Sequence, residues 1–398
     1  MSEGLQPLNG VRVLDLSRVL AGPWCASLLN DLGAEVIKIE MPGSGDDSRS
    51  FTPHIGGESS YFMQLNHGKK SVTLDLKTAQ GLAILKQLVA SADVLVENFR
   101  PGVTARLGID YATLQAINPR LVYVSISGFG QQGPLSHKAA YDHIIQAIGG
   151  IMQVTGWPDG QPTRVGDAIG DVVAGLYGSW AVLAALLQRG ISGKGQHLDV
   201  SMLDSMVTLQ MVSLTQWIGG QPAATRLGNA HPISAPMDSY QAQDGHIVIA
   251  VANDKLFRQL ASAMEQPALV EDPRFASDPL RLANQQPLRE EIERWLADKT
   301  VSDAQIILDI AGVPAAPVLR LDEVLTSDYA RQRELVKQTQ HPLAGTVSIV
   351  PQPVKMSGLC GEPSLVPPQL GEHTHTVLRE ILGMDDATLA QLQTQGVI

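Results

Sequence analysis

The stretch RVLDLSRVLAGPWCASLLNDLGAEVIKIE, residues 12–40, decides how the rest of the chain is read. Its opening RVLDL (12–16) and closing EVIKIE (35–40) are short runs rich in β-branched residues, and a helical pattern from about Pro23 to Leu32 lies between them. Strand, helix and strand in that order form a crossover unit, which joins parallel neighbours in one sheet. Neither run alternates clearly between apolar and polar residues, as expected where helices cover both faces of a parallel sheet.

The pattern repeats outward. SVTLDL (71–76), a helix over 78–91, DVLVEN (93–98) and LVYVSIS (121–127) follow in turn, and QHLDVSM (196–202) returns as a further strand. Residues 141–150 and 172–189 read as helices; the second is apolar nearly all round and ends at Gly190, which predicts a buried position. The fold class is therefore α/β, with a Rossmann-like doubly wound parallel sheet.

Residues 219–236, GGQPAATRLGNAHPISAP, lack periodicity and mark a linker. Residues 1–218 then form the first part of a large domain. A smaller α/β domain spans 237–325, with a strand HIVIAVA (246–252) and helices starting near Asp254, Leu288 and Ser302. The remaining 326–398 is expected to return to the large domain.

Composition narrows the function classes. The 398 residues carry 29 Lys and Arg against 40 Asp and Glu, a net charge of −11, so no global attraction to nucleic acid or anionic lipid exists. Only Cys25 and Cys360 occur, without metal-ligand spacing; no disulfide framework, metal site or redox pair is expected, and a reducing cytoplasm fits. No basic region precedes an apolar stretch at the N-terminus, and the longest apolar run is interrupted by Gly175 and Gly178, so neither a signal peptide nor a membrane span is expected.

The turn after the first strand, SRVLAGP (17–23), invites a dinucleotide reading with Glu40 as a ribose ligand, but it holds one glycine where a pyrophosphate fingerprint needs three. No GxxxxGK[ST] loop and no GxSxG elbow is present, and Cys25 reads as a buried structural thiol.

Several segments together are similar to the class III CoA-transferases, the family of formyl-CoA transferase, carnitine CoA-transferase and the 2-methylacyl-CoA racemases. They include residues 8–49, NHGKKSVTLDLK (66–77), ADVLVENFRPG (92–102), NPRLVYVSISGFGQQGP (118–134) and AYDHIIQAIGGIMQVTG (140–156). GDVVAGLYG (170–178), SGKGQHLDVSML (192–203) and LGEHTHTVL (370–378) extend the match over nearly the whole chain. The resemblance implies an interlocked homodimer in which each chain is a ring threaded by the other. It also implies that coenzyme A or acyl-CoA is a substrate, with no permanently bound cofactor.

The resemblance places the catalytic carboxylate at Asp171, between Gly170 and Gly175; Asp167 lacks that spacing. Read alone, Asp171 would be a helix N-cap. In the catalytic role it is expected to stay ionised through the helix dipole and hydrogen bonds, and to attack the donor thioester. CoA contacts carried over by position are Val19, Ala21, Leu74, Lys77, Asn98, Phe99, Arg106 and, beside a family lysine position, Lys138.

The racemase branch needs a histidine base where this chain has Tyr141, with His143 two residues on, which argues for transfer. Tyr141 is expected either to line the acyl pocket or to pack in the core. Leu20 stands where the formyl-CoA enzyme carries glutamine, so the resemblance is strongest to members that use acetyl-CoA or succinyl-CoA with oxalate or C4 to C6 dicarboxylates. A second carboxylate would need a cation, for which Arg49, Arg226 and His231 are candidates, with Gly170 beside the substrate. The alternatives are a racemase or a non-catalytic CoA-binding homologue.

Overall fold

The computed structural model describes residues 6–358, 361 and 363–398, so Cys360 lies outside the described residues. The chain forms two compact units. One comprises residues 1–151, 164–215 and 330–398, and the other residues 152–163 and 216–329.

The first unit is built on six strands: β1 (Arg12–Asp15), β2 (Glu35–Glu40), β3 (Lys70–Thr73), β4 (Val94–Glu97), β5 (Val122–Ser127) and β6 (His197–Ser201). Their order is β3-β2-β1-β4-β5-β6 and every neighbouring pair is parallel. The chain moves one way from β1 and then, through β4, the other. A crevice opens where two such crossovers diverge, outside the carboxyl ends of β1 and β4.

Both faces of this sheet are buried. Leu14, Ile37, Val72, Leu95 and Tyr123 face one layer, and the C-terminal helices Thr374–Leu382 and Asp386–Thr394 of the same unit close it. Val13, Val36, Val94, Val122 and Val124 face the opposite layer, built on α1 (Ala21–Asn30) and a 24-residue helix, Ile169–Ser192. Between these lie α2 (Ala79–Val89), α3 (Val103–Leu107) and α4 (Asp142–Ile148), and the 24-residue helix is α5.

By length and composition α5 would suffice to cross a membrane. In this fold it lies along α1 because two glycines allow it. A methyl group at Gly175 would sit 2.6 Å from the Ala21 carbonyl oxygen, and one at Gly178 would sit 3.1 Å from Cys25 Sγ. Cys25 itself is fully buried, and burial pushes its thiol above the ordinary range, which suits a packing role.

The second unit contains a three-stranded antiparallel sheet of Met237–Gln241, His246–Ala250 and Ala315–Pro317. Helices Asp254–Ala263, Gln285–Leu296 and Val301–Ile310 pack on it around Phe257, Ile292 and Leu308. Residues 152–163 also belong here, a membership that no change in composition signals.

Candidate active site

The turn Ser17–Leu20, between β1 and α1, is held from four directions. Ser17 N–H donates to Asp15 Oδ1 at 3.0 Å, and the Ser17 carbonyl accepts from Lys38 Nζ at 2.9 Å. Asn98 clamps Arg18 twice, accepting from its N–H and donating to its carbonyl, each at 2.8 Å. Asp46 Oδ1 accepts from Val19 N–H at 3.1 Å. Val19 thereby adopts φ +67°, a left-handed conformation that strains a β-branched residue and persists only when its surroundings enforce it.

The enforcing groups are buried charges. Lys38 pairs with Asp46 at 2.8 Å, and Lys69 reaches Asp15 at 2.8 Å, Pro23 carbonyl at 2.9 Å and Asn66 Oδ1 at 3.0 Å. Burial alone would raise the Asp46 carboxyl, but Lys38 beside it and the N–H groups of Ser48 and Val19 hold it down at about 2. For Lys69, burial outweighs Asp15 and brings the ammonium down to about 8.

On one side of this turn a cavity of about 300 Å³ is lined by Leu16, Arg18, Ile39, Leu74, Lys77 and Phe99. The structure thus brings together Leu74, Lys77 and Phe99 of the expected CoA contacts, while Val19, Ala21 and Asn98 form the adjoining turn. Arg106, in the last turn of α3, and Lys138 are exposed and do not line the cavity. Arg18 was not foreseen. Its guanidinium lies 5.9 Å from the centre of the Phe99 ring, and no acceptor pairs with it among the described residues. Its place directly after the first strand, at the mouth of the crevice, was the available signal.

On the other side of the turn stands α5. Its N-cap is Ala168, which offers no side-chain bond, so Asp171 is not the cap but the third helical residue. The hydrogen bonds expected to hold this carboxylate low are not found among the described residues, and at about 7 it is ionised only in part at neutral pH. Among the described residues none donates a hydrogen bond to the Asp171 carboxyl; burial and then the like charge of Asp142 push it up to about 7. Gly170, beside it, is buried and its N–H donates to Asp142 Oδ1 at 2.8 Å.

Tyr61 belongs to the same locality and carried no sequence signal. Burial, followed by the charges of Asp171, Asp167, Asp46 and Asp142, raises its phenol to about 12, so it remains a hydrogen-bond donor at neutral pH.

The remaining expected substrate residues fall out differently. Leu20 is buried at the N-cap of α1. Arg49 is committed elsewhere: Nε and Nη2 grip Glu40 at 2.7 and 2.8 Å, Nη2 also reaches the Pro368 carbonyl, and the guanidinium lies 3.7 Å from the Phe62 ring centre. A cation so engaged is a fold element, not a free anion receptor. Tyr141 is 76% exposed at the N-cap of α4, which removes the core role considered for it. Arg226 and His231 lie in the second unit, where Arg226 donates to the carbonyls of Trp157 and Gln153.

A model of CoA-transferase family III matches residues 8–374. The chain belongs to this family. Succinyl-CoA:glutarate CoA-transferase of Mus musculus is 37% identical over 397 residues, covering 100% of this chain and 91% of the relative. Acetyl-CoA:oxalate CoA-transferase of Acetobacter aceti is 43% identical over 353 residues, covering 88% and 90%. A CAIB/BAIF family protein from Brucella suis, known from its crystal structure, superposes with a TM-score of 0.84 at 36% identity, covering 94% of this chain and 99% of that one.

The protein is accordingly an enzyme, a CoA-transferase whose substrates include CoA thioesters. In this CoA-transferase no group of three or more metal-ligating side chains occurs among the described residues.

Proposed function

We propose that this CoA-transferase moves CoA from acetyl-CoA or succinyl-CoA to a small carboxylic or dicarboxylic acid, oxalate or a C4 to C6 dicarboxylate, through covalent intermediates on Asp171. The observation that carries the reading is a partly buried carboxyl in the first turn of α5 that no donor among the described residues claims, on the helix whose Gly175 packs against Ala21 just after the clamped turn. An Asp171 oxygen attacks the donor thioester carbon and the C–S bond breaks, giving an aspartyl-acyl anhydride and CoA thiolate. The thiolate attacks the aspartyl carbonyl, releases the donor carboxylate and leaves an aspartyl-CoA thioester. The acceptor carboxylate displaces the thiolate in turn, and the thiolate then attacks the acceptor acyl carbon, restoring Asp171. No proton is consumed in the cycle.

The sheet order supports the Rossmann-like description of the large unit, and the relatives named for oxalate and glutarate support the acceptor class. The apolar surface of α5 supports the homodimer, including the interlocked ring that the resemblance implies: Trp180 is 65% and Ile191 92% exposed within one chain. Arg226 and His231 are retained as candidate partners for a second carboxylate.

A panel of acyl-CoA donors and carboxylic acids, read by mass spectrometry of the CoA products, tests the reaction class. Transfer to none of these acids would overturn it. The pH dependence supplies a sharper test. Since the nucleophile must be ionised and its carboxyl stands at about 7, log kcat/KM should fall with unit slope as pH drops below about 7. A flat profile from about pH 5 to about pH 8 would show that Asp171 is ionised throughout.

Arg18 is assigned to a phosphate of CoA, because an unpaired guanidinium above an aromatic ring in an acidic protein is a local anion receptor. Arg18→Glu should raise KM for the acyl-CoA by about tenfold or more while kcat changes little, as for loss of uniform binding. An unchanged KM would remove Arg18 from the site.

A further inference from the structure

Helix α4 carries Asp142 at its first position and Gln146 one turn later, and both side chains are buried. Asp142 Oδ2 accepts from Gln146 Nε2 at 2.7 Å, and its other oxygen, Oδ1, accepts from Gly170 N–H at 2.8 Å. The amide of Gln146 is also bound at both ends to the segment that leads into α5. Its Nε2 donates to the Asp167 carbonyl at 3.0 Å, and its Oε1 accepts from Val165 N–H at 2.8 Å. Two side chains of one helix therefore fix the backbone at 165, 167 and 170, the approach to Asp171.

We infer that Asp142 and Gln146 form a positioning latch, which holds the first turn of α5 in register and sets a carboxylate charge beside the nucleophile. The inference rests on the reading of Asp171 as nucleophile and names what governs it. Gly170 is part of the device, since a methyl group there would lie 3.0 Å from Asp142 Oδ1.

The surroundings leave Asp142 as the controlling charge. Asp167 precedes α5 and turns an oxygen onto Ala168 N–H; Asp46 is paired with Lys38; and Tyr61, on the helix Ser60–Asn66, keeps its proton. Of these groups Asp142 is the one whose charge raises the Asp171 carboxyl, after burial. Gln146 prevents that charge from turning away, because it holds Asp142 Oδ2 while Gly170 holds Oδ1.

The test uses the full-length enzyme. Asp142→Asn removes the charge and leaves one acceptor where Asp142 had two, so the acid limb of kcat/KM should move down by roughly one pH unit. Gln146→Leu cuts the tie to 165 and 167; kcat should fall about tenfold while KM for the acyl-CoA stays within about twofold, the mark of misplaced chemistry with intact binding. If Asp142→Asn does not fold, the Gln146→Leu split decides alone. An unmoved acid limb in Asp142→Asn, or an unchanged kcat in Gln146→Leu, overturns the latch. Wild-type enzyme incubated with acyl-CoA and quenched with hydroxylamine separates the two ideas. A hydroxamate on Asp171 with an unmoved limb sinks the latch alone, and no mark on Asp171 sinks both.

Discussion

Asp171→Asn should lower CoA transfer by about 10⁴-fold or more, the scale seen when a covalent nucleophile is removed, and should at the same time make the protein more stable at alkaline pH. The two effects have one origin. The Asp171 carboxyl stands at about 7 in the fold against an ordinary 3.8, so the folded protein holds this proton more tightly than the unfolded chain does. The stability that the bound proton contributes is complete below the ordinary value and is lost as pH rises through about 7. Asparagine carries no charge at any pH. The thermal midpoint of the variant should therefore exceed that of wild type above pH about 7, and the difference should close as pH falls below it. Thermal unfolding at two pH values and a coupled transfer assay check both halves. Normal turnover would end the assignment of Asp171, and a pH-independent difference in midpoint would show that the carboxyl ionises in the fold as it does in water.

The unfavourable charge is what the chemistry can use. A carboxylate that water and hydrogen bonds have not quenched is a better nucleophile than one in a capping position, where N–H groups would stabilise it. The fold achieves this by moving the cap elsewhere: Asp142, not Asp171, accepts from the first turn of α5.

That distinction shows where sequence reading succeeds and where it stops. The six strands of the sheet lie within three residues of the apolar runs that announced them, because burial on both faces writes itself into consecutive residues. The helix expected from about Pro23 begins at Ala21, since proline lacks only an N–H that the first helical turn leaves unpaired. Asp171 was reached through a motif, and its surroundings were not. Asp142 precedes it by 29 positions in sequence and Tyr61 by 110. Nothing local in AYDH or SSYF marks either as a neighbour of that carboxyl. Arg49 shows the converse error. A cation read in isolation looks available for a substrate, yet Glu40, nine residues earlier, has already engaged it. The buried lysines were equally silent. Nothing in EVIKIE or HGKK marks a lysine for burial, yet the side chains of Lys38 and Lys69 are fully enclosed.

Asp15→Ala should destabilise the enzyme at neutral pH by about 3–5 kcal/mol, a large part of the margin of a typical domain. Asp15 is wholly buried and is the carboxylate that faces both lysines, with Lys69 at 2.8 Å and Lys38 at 3.8 Å. Burial works against its ionisation, and the two ammonium groups more than offset this, leaving its carboxyl below the ordinary range. A carboxyl depressed in the fold contributes stability that is present above its unfolded value and lost only as pH falls through the folded one, so at neutral pH the whole contribution is at stake. Alanine would leave Lys69 with the Pro23 carbonyl and Asn66 as partners, and would release Ser17 N–H from the turn that strains Val19. Lys69, already brought down to about 8, should then lose its proton at lower pH still. The deficit relative to wild type should accordingly shrink as pH is raised from about 7 to about 9, because the unfolded chain keeps this lysine charged while the variant's fold does not. Asp15→Ala combined with Lys69→Met should recover much of the lost stability, since removing a buried pair together costs far less than orphaning one member. Urea unfolding of the single and double variants measures all three expectations. A single variant within about 1 kcal/mol of wild type would mean that water reaches these lysines, and that Lys38, Asp46 and Asn98 hold the strained turn without Asp15.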